Sequence, residues 1–157
     1  MPLFTIQKHA ATTLHYDFRL EVDGVLRSWA VPKGPSTDPR EKRLAVEVED
    51  HSLGYAHFEG RIGPGYGEGS VIVWDTGEYR NLNDELDFAR ALDDGHASFW
   101  LEGKKLHGGW ALRRIRGGRK PQWLLIKRRD EYADARRRPT STQPESVLSG
   151  QTIEEVR

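Results

Sequence analysis

Cysteine is absent from this 157-residue chain. Disulfide frameworks and thiolate metal ligands are therefore excluded, and any metal must be held by nitrogen and oxygen donors. Long apolar runs are missing too: no stretch approaches membrane-spanning length, and "MPLFTIQKHA" lacks the hydrophobic centre of a signal peptide. A soluble, cytoplasmic protein is expected, suited to a reducing compartment. Internal repeats are absent. With hydrophobic residues at 36%, the length fits one domain with a modest core.

Net charge is also lacking, at +0, yet the charges are segregated along the chain. Acids crowd Glu47 to Glu102, whereas Arg113 to Arg138 is strongly basic. A basic surface of that kind can hold a polyanion on a neutral protein, or it can be an ordinary solvated face.

What the chain does have is β-type patterning. "LHYDFRLEV", "VLRSWAV", "RLAVEVED", "SVIVWD", "ASFWLEG", "GWALRRI" and "QWLLIK" are bounded by turn residues and read as strands. Asp23-Gly24 signals a tight hairpin, and "RGGRKPQ" a second. Only "NLNDELDFARALDDG" reads as a helix, capped by Asn81 or Asn83 and stopped at Gly95, covering one end of a barrel or curved sheet. The fold class expected is mainly β, a compact antiparallel β-barrel of about eight strands with one short helix. It should occupy residues 1–135, with 136–157 as a flexible tail in which "ESVLSGQTIEEVR" is disordered or forms one short helix. Core packing is the default for the five tryptophans, which are spread one to a strand.

One strand carries chemistry. Period-two alternation puts His15, Asp17 and Arg19 on one face and Tyr16, Phe18 and Leu20 on the other, with His9 reaching back from a preceding loop. Two imidazoles and a carboxylate leave positions free for water and substrate, as a catalytic divalent metal requires. Arg19 is placed to grip a phosphate oxygen through its guanidinium fork. His-x-Asp also opens the iron site of 2-oxoglutarate oxygenases, which would need a distant third histidine such as His107, and paired histidines are often structural.

In "VEVEDHSLGYAHFEG", Glu47, Glu49 and His51 alternate on a second strand, with Tyr55 and His57 beyond it. His51 is the candidate donor to a phosphate oxygen or leaving group, whereas His57 reads as a packing or surface residue. Lys33 and Arg43, both in the loop "VPKGPSTDPREKR", are candidate phosphate contacts. "IGPGYGEGSV" lacks the Lys-Ser/Thr ending of a P-loop and precedes a strand, so it reads as a turn.

"KHAATTLHYDFRLEVDGVLRSWAVPKGPS", "VEVEDHSLGYAHFEG", "VIVWDTGEY" and "WLLIKRRDEYA" together closely resemble the 3′-phosphoesterase domain of bacterial DNA ligase D. The resemblance covers about Phe4 to Ala133, and the tail "ESVLSGQTIEEV" looks like the segment that follows this domain in the multidomain ligases. It implies a manganese-dependent hydrolase that removes a 3′-terminal ribonucleoside and then the 3′-phosphate from primer-template ends during non-homologous end joining. By position it implies metal ligands at His9, His15 and Asp17, and catalytic or substrate-binding roles for Arg19, His51 and Tyr55. Supporting positions fall on Gln7, Lys33, Arg43 and Glu49. A covalent phosphohistidine at His51 stays open beside an acid role.

Two departures bear on these expectations. The chain starts a few residues before His9, without the carboxylate-bearing arm of longer members, so the monoesterase step is implied more firmly than the diesterase step. In addition, "RIGPGYGEG" stands where the family usually has "IPEG" before "YG". The expected partners are DNA or DNA/RNA primer-template 3′ ends, with a separate DNA ligase, polymerase and Ku in trans. The protein is expected to be a prokaryotic, nucleoid-associated monomer, and the alternative is a non-catalytic DNA-end binding module of the same fold.

Overall fold

A computed structural model describes residues 1–63 and 69–156; the centre of the glycine-rich turn lies outside the described residues. The strands are β1 (Leu3–Ala10), β2 (Leu14–Val22), β3 (Val25–Val31), β4 (Arg43–Ser52), β5 (Gly60–Ile62), β6 (Gly69–Asn81), β7 (His96–Glu102), β8 (His107–Arg116) and β9 (Gln122–Lys127). All pair antiparallel, in the order β1-β2-β3-β4-β9-β8-β7-β6, and β6 returns to β1 to close an eight-stranded barrel. The short β5 is appended to β6. Closure gives every barrel strand a neighbour on both sides, although β4 meets β9 only along Arg43–Val46.

Alternation fills the interior. Phe4, Ile6, Tyr16, Phe18, Leu20, Trp29, Trp74, Phe99, Trp110 and Trp123 all belong to one buried cluster. Phe18 stacks on Phe99 with centroids 5.7 Å apart, and Trp29 meets Trp123 edge-on at 5.8 Å. Each such buried side chain contributes roughly 1.5–3 kcal/mol of transfer free energy. Trp100 departs from core packing: it is half-buried on the outer wall, with the Arg80 guanidinium 5.4 Å above its ring.

The Asp23-Gly24 hairpin forms as expected, with both residues at positive φ (50° and 84°), the two-residue turn that matches strand twist. The helix is shorter than its acidic sequence indicates. Helix α1 spans Phe88–Asp93, and its cap is Asp87, which accepts the Arg90 amide, not Asn81 or Asn83. Asn81 instead accepts the Asn83 amide in a turn, and Asn83 hydrogen-bonds both ways with Ser98. Phe88, Ala91 and Leu92 form its buried face, and Gly95 follows its end at φ 82°.

One strand was not legible in advance. β1 pairs with β2 and β6, so His9 comes from a strand and not from a loop. Its alternation is disguised by Lys8, which sits on the inward side opposite Tyr16, only 7% exposed, with its ammonium 6.0 Å from the Tyr16 ring.

Residues 136–156, expected to trail as a flexible tail, run along the barrel wall. A second helix, α2 (Pro139–Thr142), opens this segment. Trp74 Nε1 and Lys105 Nζ both donate to the Gln143 carbonyl, Lys105 also to that of Glu145, and Ile153 and Val156 pack on Ile72 and Ala10. Buried donors on the wall thus find their acceptors in the tail backbone, which its polar composition conceals. Among the described residues no helix is long and apolar enough to cross a membrane.

Candidate metal and phosphate site

The residues opposite the core-facing set of β1 and β2 project from the outer wall of the barrel. Register places His9 against His15, Gln7 against Asp17 and Thr5 against Arg19, so a polar ladder crosses the two strands. The ladder is roofed by the segment after β4. There Leu53–Tyr55 makes a 3₁₀ turn, Thr5 Oγ1 donates to the Ala56 carbonyl at 2.9 Å, and Gln7 Nε2 donates to the Tyr55 carbonyl at 2.9 Å. Arg19 is consequently only 3% exposed and Asp17 8%, although both lie outside the barrel.

Asp17 is the hub. Its Oδ1 lies 3.3 Å from His15 Nε2, and its Oδ2 lies 3.9 Å from His9 Nδ1 and 3.3 Å from Arg19 Nη2. Burial pushes the Asp17 carboxyl up, but the His15 hydrogen bond and the charges of Arg19, His15 and His9 outweigh it and hold the carboxyl below its usual range. The same Asp17 contact raises His15. His15 Nδ1 faces the Thr13 carbonyl at 3.4 Å; the neutral tautomer that donates there carries its lone pair on Nε2, which a cation would engage in place of the Nε2–H bond to Asp17.

This donor set fits a divalent cation. One ligand atom from each of His9, His15 and Asp17 lies within 4.8 Å of the others. A single ion with bonds of about 2.1 Å separates its ligand atoms by roughly 3–4 Å, so small rotamer adjustments suffice. Among the described residues this is the one group of three or more such side chains that could hold a metal. His107 packs on Tyr132 at 5.5 Å on β8, four strands from β2, so the cluster lacks the third histidine that the oxygenase alternative needs.

The guanidinium of Arg19 is more committed than a fork gripping phosphate. Nε donates to Gln7 Oε1 at 2.6 Å, Nη1 to Ser28 Oγ at 2.9 Å and to His51 Nδ1 at 3.1 Å, and Nη2 faces Asp17. One Nη2 hydrogen lies outside these contacts, so Arg19 presents a fixed charge and a single donor. His51 is brought beside it by a register shift between Leu26 and Ser28, which pairs Leu26 with His51. Its Nδ1 lies 3.1 Å from both Arg19 Nη1 and the Glu49 carbonyl. Arginine only donates, so the tautomer with its proton on Nε2 satisfies Arg19. Burial, and then Arg19, hold His51 below its ordinary pKa and favour the neutral ring.

Tyr55 closes the site. Its ring stacks on Phe58 at 5.2 Å, lies 5.1 Å from His51 and covers the Arg19 guanidinium at 5.1 Å. Burial raises its phenol, which remains a donor at neutral pH.

His9, His15, Asp17, Arg19, Gln7, His51 and Tyr55 thus lie together in one group. Glu49 meets this group through its carbonyl, while its side chain is exposed. Lys33 and Arg43 lie outside the hydrogen-bonded cluster, at the end of the barrel where β3 leaves and β4 begins. His57 is an exposed histidine contacting Thr76, in keeping with a surface residue. Glu47 is taken up by the Trp123 indole and Arg27. Sequence reading missed Ser28, whose hydroxyl holds Arg19; its signal is its place opposite Arg19 across the Asp23-Gly24 hairpin.

A closed barrel carries, on its outer wall, a His-His-carboxylate cluster that could hold a metal, beside a buried, roofed arginine. Residues 7–114 match the family model of the DNA ligase D 3′-phosphoesterase domain, and the chain belongs to that family. It is 52% identical over 154 residues to the multifunctional non-homologous end joining protein LigD of Pseudomonas aeruginosa, a match covering 96% of this chain and 18% of that protein. Its relatives of that name include a DNA repair protein of Mycobacterium tuberculosis (44% over 132 residues; 82% of this chain, 16% of that protein) and a protein of Mycolicibacterium smegmatis (42% over 135 residues; 82% and 17%). The chain thus spans less than a fifth of the length of these relatives.

Proposed function

We propose that this protein is a metal-dependent phosphoesterase that processes DNA 3′ ends in non-homologous end joining, removing a 3′-phosphate and, from ribonucleotide-ended primers, the terminal ribonucleoside. The observation that carries this reading is the adjacency of the His9-His15-Asp17 donor set to Arg19 through one shared carboxylate. Family membership supports the same chemistry.

His9, His15 and Asp17 would hold the cation, for which manganese is proposed. When bound, such an ion supplies Lewis-acid polarisation of a phosphate oxygen and a water of lowered pKa. The protein's own groups do the rest. Arg19, fixed by Gln7 and Ser28, offers its remaining Nη2 hydrogen and its charge where negative charge accumulates on the phosphoryl group. His51, neutral with Nδ1 engaged by Arg19, offers Nε2–H to a phosphate oxygen. Tyr55 donates from the roof and keeps water from Arg19. Lys33 and Arg43 would contact the nucleic acid beyond the reacting phosphate.

The test uses a primer-template ending in a 3′-phosphate or a single ribonucleotide, incubated with manganese, magnesium or chelator and resolved by end-product analysis. Metal-dependent release from the wild-type chain, lost in His15→Ala, is expected. DNA binding without release under any metal would leave the alternative, a non-catalytic end-binding module.

A further inference from the structure

The basic residues from Arg113 to Arg138 are contiguous in sequence but separated in space. Arg113, Arg114, Arg116, Arg119 and Lys120 belong to the β8–β9 hairpin, and β8 lies four strands from β2 in either direction around the barrel, on the opposite wall. Arg137 and Arg138, in contrast, return to the end of the barrel where β3 leaves it.

There the loop 32–42 and the start of the tail form two adjoining cavities. One, of about 450 Å³, is lined by Pro32, Lys33, Lys42 and Leu44; the other, of about 180 Å³, by Ser36, Arg138 and Ser141. Arg43 and Glu41 line both. Lys33, Lys42 and Arg138 are exposed, and none forms an ion pair among the described residues. Arg43 Nε is buried with no hydrogen-bond partner among the described residues, and its Nη2 reaches Glu41 only at 3.8 Å. Glu41, the one carboxylate among the described residues lining the cavities, already accepts Ser36 Oγ at 2.8 Å.

The walls are held rigidly. Thr37 Oγ1 donates to the carbonyls of Asp134 and Arg137, and the Asp134 amide donates back to the Thr37 carbonyl. Gly34, at φ 74°, is wedged where a Cβ would strike both Tyr16 and Thr140. Tyr16 pairs with Val31, so the groove begins where β3 leaves the barrel beside the start of β2, the strand that carries His15 and Asp17 on its other face.

We propose that this groove is the docking surface for the phosphodiester backbone of the DNA leading to the processed end, with Lys33, Lys42, Arg43 and Arg138 as its contacts and the β8–β9 hairpin outside it. A preformed groove with unpaired cations and one partly spent carboxylate fits a polyanion, and counterion release makes such binding steeply salt-dependent. The proposal deepens the phosphoesterase reading by giving the substrate its path.

The test is fluorescence anisotropy with a labelled primer-template carrying a 3′-phosphate, in chelator, from 50 to 200 mM salt, with release in manganese followed on the same duplex. Lys42→Ala with Arg138→Ala should weaken binding at 100 mM salt by at least about fivefold and flatten the slope of log K against log salt by about 1–2. Arg116→Ala with Arg119→Ala should leave the slope unchanged. All four side chains are exposed, and thermal melting serves as the fold control. The proposal is overturned if the groove pair leaves the slope unaltered, if the hairpin pair flattens it equally, or if the wild-type chain does not bind the duplex. Groove-dependent binding without metal-dependent release would uphold the groove and remove the phosphoesterase reading.

Discussion

Asp17 and Asp75 are both buried carboxylates on strands of one barrel, and they are satisfied in opposite ways. Asp75 is fully buried and accepts four backbone amides, those of Thr76, Lys104, Lys105 and Leu106. Gly103 is fitted against it; a Cβ there would collide with the carboxylate. Asp17 has His9, His15 and Arg19, side chains that change protonation, move or bind other ligands. Burial wins at Asp75, whose pKa is raised despite its amides, whereas at Asp17 the neighbouring cations outweigh burial. A carboxylate held by amides fastens a loop to a strand; one held by imidazoles and a guanidinium has partners that could be given up to a cation or an anion.

The largest expected effect breaks that comparison on the functional side. Asp17→Asn should reduce phosphate release more than about 10²-fold, since it removes a proposed metal ligand. Its urea-unfolding midpoint should shift far less than that of Asp75→Asn. Asp75→Asn should do the reverse, lowering stability by about 2–4 kcal/mol while the Michaelis parameters of soluble protein stay near wild type, because an amide cannot accept from all four N–H groups. Equal activity losses in the two variants would show that the division between fastening and exchange is false.

Lys105 sharpens the contrast through pH. Burial lowers it to about 8 from 10.5, although its ammonium reaches the carbonyls of Gln143 and Glu145 and lies 4.5 Å from the Trp74 ring. Between about pH 8 and pH 10.5 the folded chain therefore binds fewer protons at this site than the unfolded chain, so stability rises with pH across that window. The destabilisation from burying the cation is fully present below pH 8. Measured as the difference between wild type and Lys105→Met in denaturant titrations, the gain should be about 1–3 kcal/mol. A flat difference would show that the lysine keeps its ordinary affinity for protons. The smallest effect is expected for Tyr55→Phe. The ring still covers Arg19, so the loss of one donor should lower kcat by about 5–30-fold with little change in melting temperature.

The polar face of β2 was readable because a period of two leaves no ambiguity in "HYDFR", and the hairpin because Asp23-Gly24 admits positive φ at both positions. β1 was hidden by one lysine on its inward side. The order of the tail was hidden because its attachment uses its own carbonyls, which any sequence has. His51 was a candidate donor from its residue type alone, but its place beside Arg19, and that of Tyr55, came only through likeness to a family. Their approach to Arg19 depends on a register shift and on a roof that folds back across the barrel, and neither leaves a periodic trace. The fork expected of Arg19 is largely spent within the protein, since three of its bonds are internal.

The direct pairing of His9 with His15 makes the site a seam. A slip of one residue between β1 and β2 would turn His9 inward and Lys8 outward, dissolving the ligand set while preserving a hairpin. β1 is also the strand on which β6 closes the barrel, so a nascent chain that ends before Gly69 possesses every ligand and lacks one of the two strands that fix their register. On the proposed ligand set, competence to hold a cation would therefore arise only once β6 has paired with β1, and metal uptake during refolding would report the moment of closure.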